Sequence, residues 1–370
     1  MSSLYLGLIS GTSMDGIDAV VVEISPDGIC HVLASHNETF ETKLQEQLRS
    51  ATSSKQISLH DLAQLDARVA KHFAKAANHV LQHHQISRQQ IVAIGSHGQT
   101  LLHGADQSPA YSLQIGDPNI IAEETGIATI ADFRRRDIAV GGQGAPLVPC
   151  FNQSWLEKIE GIDAVLNLGG IANITLLGAA GEDPNLGFDT GPENTLVDAW
   201  VRHRLGKPYD EDGAWARQGQ VHNQLLDSLL QHPFFTALPP KSADTNQFNL
   251  AWLDTALSSF REVSDIDVAA TLVELSAVTV CQAIKRYAGH CKKLIACGGG
   301  CHNHFLIQRI QAGLGPTKLE LSENYGIGVD WVEATAFAWL AFRHISKQSG
   351  NAESITGAKQ KRILGAYYPA

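Results

Sequence analysis

Three apolar-rich runs crowd the first forty positions: Leu4–Ser10, Ile17–Ile24 and His31–Phe40. Each has the length and β-branched content of a strand. The turn Ser25-Pro26-Asp27-Gly28 joins the second to the third, which predicts an antiparallel meander. The period then lengthens. Helices are expected over Thr42–Ala51 and Ser58–His84. In the second, Leu59, Leu62, Leu65, Val69, Phe73, Ala76 and Val80 recur three and four apart, so one face is buried. Ile91–Ser96 is a short buried strand ending in "SHGQT". The middle reads as loop-rich, through "GADQSPA", "IGDPN", "DFRRRD" and "GGQGAPLVP", with one small strand at Ile127–Ile130.

The opening logic then returns. Asp163–Leu168 is an apolar strand, a glycine turn follows in "NLGGIANIT", and Ile171–Leu177 is a second strand. Strand, polar turn, strand thus occurs twice, about half a chain apart. "GFDTGPEN" leads to a helix expected over Pro192–Leu205, with proline in its first turn. The loop "GKPYDEDGAWARQG" comes next. Asp267–Ala288 is the clearest helix, with an apolar seam through Val268, Leu272, Leu275, Val278, Cys281, Ile284 and Tyr287. A strand at Lys293–Cys297 precedes "GGGCHN" and a helix to about Ala312. Lys318–Leu321 is a strand, and Trp331–Lys347 is the last long helix.

Composition narrows the class. A chain of 370 residues, 44% hydrophobic and 18% charged, has room for two or three domains with real cores. A formal charge of -10 argues against nucleic acid or a membrane surface as partner. It leaves open a small anionic substrate held by local amides and arginines. No stretch reaches the roughly 18 apolar residues of a membrane span. The start lacks a basic leader segment, and Ser10–Asp15 interrupts its apolar run, so no secretory signal is expected. Six scattered cysteines fit reduced thiols in a cytoplasm.

Three glycine clusters carry the candidate chemistry. In the first, Gly11, Thr12, Ser13, Met14, Asp15, Gly16, Ile17 and Asp18, backbone amides can converge on an anion, and the Thr12 and Ser13 hydroxyls add donors. Asp15 and Asp18 could hold a divalent cation. A plain hairpin turn uses the same residue types. The Gly-Lys-Ser/Thr ending of a P-loop is absent. The second cluster holds Gly169, Gly170 and Asn173. The third, Gly298, Gly299 and Gly300, lies between a strand and a helix, where the helix start favours negative charge or a nucleotide lies on bare backbone. Cys297, Cys301, His302 and His304 lack the spacing of a zinc site. His83, His84 and His103 read as surface or satisfied histidines, and Cys281 as core.

With these motifs the chain resembles the acetate and sugar kinase, Hsp70 and actin superfamily. More closely it resembles the anhydro-N-acetylmuramic acid kinase family. The segments that carry the likeness are "GLISGTSMDGIDA", "GSHGQTLLH", "QIGDPNIIAEETGI", "ADFRRRDIAVGGQGAPLVP", "NLGGIANIT", "GFDTGP", "CGGG" and "DWVEATAFAWLA". The resemblance implies an α/β protein of the two-lobed actin-like ATPase fold. Each lobe would be a mixed five-stranded ribonuclease H-like sheet flanked by helices, with the motifs lining a cleft. The expected lobes are 1–130 plus 356–370, and 131–355. It also implies ATP and Mg²⁺, a small-molecule anhydro amino sugar, a homodimer, and a cytoplasmic role in peptidoglycan recycling. Water would open the 1,6-anhydro bridge and O6 would take the γ-phosphoryl group. Two departures stand out: Glu193 replaces the family's usual glycine, and "KSADTNQF" at 241–248 replaces its usual "KSTGRE-F".

The resemblance also implies roles. Asp189 would be the general base. It is expected in a short loop between glycines, where an N-cap aspartate is the plainer reading. His97, Gly98, Gln99 and Thr100 follow a strand, where ligand-facing loops of open sheets sit. Asp117 would meet hydroxyls. One arginine of Arg134–Arg136, with Arg135 the choice, would fork onto the lactyl carboxylate. Glu333 begins a helix, where a carboxylate is favoured by the dipole alone, and the resemblance makes it a substrate contact. Two alternatives remain: a kinase of another anhydrosugar of the levoglucosan type, and an actin- or Hsp70-like nucleotide switch. Such switches open their first motif with Asp-x-Gly, where this chain has Ser10-Gly11-Thr12.

Overall fold

The computed structural model describes residues 2–54, 56–243 and 247–370. Residues 244–246 of the 241–248 departure therefore lie outside the described residues. The chain forms two compact units, Met1–Leu156 with Trp331–Ala370, and Glu157–Asp330.

Unit 1 is built on β1 (Ser3–Ile9), β2 (Gly16–Ile24), β3 (Cys30–Thr39), β4 (Ile91–Ser96), β5 (Gln99–Gly104), β6 (Tyr111–Ile115) and β7 (Thr129–Ala131). Its main sheet runs β3-β2-β1-β4-β7, with a sixth strand, Ala366–Tyr368, at the edge. The meander β1-β2-β3 is antiparallel, while β4 lies parallel to β1 and β7 parallel to β4. One sheet face packs on the helices Thr42–Ser54 and Leu59–His83, burying Leu65, Val69, Phe73, Ala76 and Val80. The expected stripe holds from Leu65 onward, but Leu59 is 85% exposed because it sits in the first turn. The Ser58 hydroxyl caps that helix by accepting the Asp61 amide. The other sheet face carries the helix Val332–Ile345, against β1, β2 and β4.

The loop-rich middle contains more structure than its sequence signals. β5 and β6 pair as a separate hairpin, and the helices Pro118–Thr125, Phe133–Ile138 and Val148–Leu156 follow. The last of these packs against Val332–Ile345. Both belong with unit 1, which moves the unit boundaries to 156/157 and 330/331 from the expected 130/131 and 355/356.

Unit 2 repeats the plan. It has β8 (Ile162–Leu168), β9 (Ile171–Leu176), β10 (Leu186–Pro192), β11 (Lys293–Cys297) and β12 (Lys318–Leu321), in the order β10-β9-β8-β11-β12. The directions match unit 1: an antiparallel meander, then two parallel strands. This sheet has the expected five strands. Helix Asp265–Tyr287 has the length and apolarity of a membrane span, yet most of it is buried in this core. Pro192 does not start a helix. It closes β10 opposite Ile171, and the helix begins at Asn194.

Candidate functional site

The first turn is tied down by its carbonyls. Gly11 O accepts from Met14 N at 3.3 Å and Gln99 Nε2 at 3.3 Å. Ser13 O accepts from Arg49, Met14 O from Gln45 and Asp15 O from Phe40 N. Among the described residues the amides of Gly11, Thr12, Ser13 and Asp15 donate to nothing, and Thr12 and Ser13 are exposed. A turn with anchored carbonyls and free amides presents positive potential outward. Met14 sets this geometry: its backbone is left-handed at φ 57° and its side chain is buried with Ile17 in the core. Left-handed backbone at a non-glycine residue costs about 1–3 kcal/mol, which the buried side chain offsets. Gly16 is required by contact, since a Cβ there would lie 2.6 Å from the Glu38 carbonyl oxygen. Asp18 accepts from Asn37 at 2.7 Å.

Gln99 belongs to this turn. It is 1% exposed, and besides donating to Gly11 O its side chain accepts from the Ser10 hydroxyl at 2.6 Å. Its neighbour His97 is also buried. Arg134 Nε donates to His97 Nε2 at 3.0 Å, so the ring proton sits on Nδ1, which is buried and has no hydrogen-bond partner among the described residues. Burial first, and then Arg134, hold the imidazole well below its usual range. Burial also lowers Arg134 to about 10, against the pull of Glu333 and Asp137. The Arg134 charge, under the pull of Glu333, thus lies beside a neutral His97 in unit 1, with Phe337 against the His97 ring at 4.7 Å. Arg135 points elsewhere: it is exposed and paired with Asp132. Thr100 accepts from Gln114 on the hairpin at 3.1 Å. Gly98 lies at φ 71°, and Asp117 caps helix Pro118–Thr125 through the Asn119 amide.

Unit 2 holds the other two clusters. Gly169 and Gly170 turn their carbonyls onto the amides of residues 193–195, at the start of helix Asn194–Leu205. Among the described residues their own amides again donate to nothing. Gly298 has φ 89°, and a Cβ there would lie 2.4 Å from the Leu168 carbonyl oxygen. Gly299 is open and exposed, and Gly300 packs against Glu193 Oε1. Glu193 is 1% exposed, neither oxygen has a hydrogen-bond partner among the described residues, and burial, against the nearby Asn194 amide, pushes its carboxyl well above the usual range.

Asp189 lies inside β10 rather than in a loop, at a bulge before Gly191. Its amide donates to Lys241 O at 3.1 Å, and its Oδ2 accepts from Ala243 N at 2.8 Å. Oδ1 accepts no bond among the described residues. Burial pushes the carboxyl up to about 6, against the Ala243 amide and the Lys241 charge. Register places Asn173 opposite Asp189, Asn167 opposite Asn173, and Cys297 opposite Asn167. Asn167 was not singled out in the sequence; its signal is one amide inside the apolar run "AVLNL". The zinc-like residues pair separately, His302 with Asp330 and His304 with Asp212.

Two ribonuclease H-like sheets that share a five-strand order, unit 1 adding one edge strand, each with a glycine turn between its first two strands, define the actin-like ATPase fold class. Component A of (R)-2-hydroxyglutaryl-CoA dehydratase from Acidaminococcus fermentans shares the fold, with a TM-score of 0.50 and 12% identity over 93% of this chain and 100% of that one. The family model for anhydro-N-acetylmuramic acid kinase matches residues 3–370. Relatives named anhydro-N-acetylmuramic acid kinase include those of Shewanella pealeana, 44% identical over 100% of this chain and 99% of the relative, and Xanthomonas oryzae pv. oryzae, 45% identical over 100% and 98%. Another, from Coxiella burnetii, is 43% identical over 98% and 97%. The chain belongs to the anhydro-N-acetylmuramic acid kinase family.

Proposed function

We propose that this kinase opens the 1,6-anhydro bridge of 1,6-anhydro-N-acetylmuramic acid with water and phosphorylates O6 from ATP, giving N-acetylmuramic acid 6-phosphate and ADP. The observation that carries the chemistry is Asp189, a strand-held carboxyl raised to about 6 whose Oδ1 accepts no bond among the described residues. Such a group accepts a proton near neutral pH. In this reading Asp189 takes a proton from water as its oxygen bonds to the anomeric carbon. The C1–O6 bond breaks, and its electron pair leaves on O6. O6 bonds to the γ-phosphorus as the bridging oxygen departs with ADP. No second protonated carboxyl is needed for the leaving oxygen.

The free amides of Gly11, Thr12, Ser13 and Asp15 and of Gly169 and Gly170 suit the phosphates, and the bare backbone of Gly298–Gly300 suits the adenosine. His97, Gly98, Gln99, Thr100, Asp117 and Glu333 are proposed for the sugar. Arg134, which lies beside His97, is a better partner for the lactyl carboxylate than Arg135. Asp15 and Asp18 supply the oxygen ligands that suit Mg²⁺, and the ion when bound neutralises phosphate charge. A cytoplasmic homodimer in wall recycling completes the reading. Solvent labelled with ¹⁸O tests the reaction: mass spectrometry should find the label at the anomeric carbon of the phosphosugar, and unlabelled product would refute hydrolytic opening.

Two predictions follow from this geometry. Because the base works ionised, kcat/KM should fall about tenfold per pH unit below about 6, and a pH profile flat to 5 would remove Asp189 as base. Gln99→Leu loses the bonds to Ser10 and Gly11. At about 0.5–1.5 kcal/mol each, KM for ATP should rise roughly tenfold, and KM for the sugar should rise with it because Gln99 is also a proposed sugar contact, as read from initial rates.

A further inference from the structure

Strand β3 carries His36 and Glu38 two apart, on one face of the strand. Helix Leu59–His83 carries Lys75, His79 and His83, each four apart and so on one helix face. The two faces meet. Glu38 Oε2 lies 2.6 Å from His79 Nδ1 and 3.1 Å from His36 Nε2, while Lys75 Nζ takes Oε1 at 2.8 Å. The two ring nitrogens and Oε2 all lie within 4.8 Å of one another. The His83 ring stands 5.3 Å from His36 and stacks on His79 at 5.8 Å.

We propose that His36, Glu38 and His79, with His83 as a fourth donor, bind a divalent transition-metal ion of the zinc type. Imidazole nitrogen with one carboxylate oxygen is a donor set that Zn²⁺ accepts, at about 2.0–2.2 Å per ligand. That leaves the donors roughly 3–3.5 Å apart, which small side-chain rotations reach from the present spacing. Lys75 fits an outer-shell role, fixing Oε1 so that Oε2 stays aimed at the imidazoles.

The ion would clasp β3, an edge strand of its sheet, to the helix. The same end of β3 braces the first glycine turn, through Phe40 N on Asp15 O at 3.0 Å and Asn37 on Asp18.

The test uses the full chain, stripped with chelator and kept reduced. Titration with Co²⁺ should give visible absorption bands that saturate at one equivalent and vanish when Zn²⁺ displaces the ion. Zn²⁺ should raise the unfolding midpoint by several degrees. His79→Ala should lose both responses, and His83→Ala, at an exposed position, should weaken Co²⁺ binding by about tenfold or more, with kinase turnover unchanged in both. The proposal fails if the parent gives no visible band and no Zn²⁺-dependent shift. It also fails if His79→Ala and His83→Ala respond like the parent, which would assign the metal to thiols elsewhere.

Discussion

Asp189→Asn is expected to keep its fold and its nucleotide affinity while losing about 10²–10⁴-fold in kcat, the usual contribution of a positioned general base. Asparagine is close in volume, and its amide oxygen can still accept from Ala243 N, so the β10 bulge has no reason to move. The charge relation points the same way. The folded state raises this carboxyl from its unfolded value of 3.8 to about 6, so it binds a proton more tightly folded than unfolded. Its contribution to stability is therefore favourable at low pH and is lost as pH rises through about 6, where the ionised group opposes folding. Removing the charge should leave the variant no less stable than the parent at pH 7. Bridge opening and phosphoryl transfer should fall together, because O6 becomes a nucleophile only when the bridge breaks. Isothermal binding of an ATP analogue, a melting curve and phosphosugar formation separate these effects. Phosphosugar made at a near-parental rate would end the assignment.

The sequence made the sheets legible because their strands are long, apolar and bounded by turn residues. Both glycine turns are visible for the same reason, as polar breaks between apolar runs. Asp189 was legible as a residue but not as a strand position: two glycines and a proline in "GFDTGP" weaken the strand pattern, and tertiary pairing with Ile171–Leu176 overrides it. The elements between 99 and 156 are mostly three to nine residues long, too short for either periodicity to accumulate.

The arginine run shows a sharper limit. Three identical side chains in one six-residue helix differ only in which face they occupy. That face is set by Phe133 and Asp137 turning inward, a fact of packing. Arg134 follows them toward His97, and Arg135 stays with Asp132. Glu193 was legible as a departure, but its complete burial was not, because nothing in "PEN" says that Gly300 lies against it.

Gly95→Ala should be among the most damaging single-methyl changes in unit 1. Gly7 and Gly95 are register partners on β1 and β4. Together they form a flat seat for the helix Val332–Ile345. A Cβ on Gly95 would lie 2.0 Å from the Phe337 carbonyl oxygen, and one on Gly7 would lie 1.9 Å from that of Ala334. Both obstacles are helix backbone, so no rotamer change relieves them, and the helix must lift. Overpacking of this kind costs about 1–3 kcal/mol and sometimes more. The site should suffer as well, since the lifted helix carries Phe337 against His97 and Glu333 in its first turn beside Arg134. A lower unfolding midpoint should therefore accompany a raised KM for the sugar. Gly7→Ala should behave alike, and the double variant should cost less than the sum, because one displacement of the helix relieves both contacts. Gly299→Ala is the contrast: nothing lies within 4 Å of its added methyl, so stability should change by no more than about 0.5 kcal/mol. Chemical denaturation of the four variants decides the matter. If Gly95→Ala melts with the parent while Gly299→Ala does not, the helix is not seated on these glycines, and Glu333 owes its position to something else.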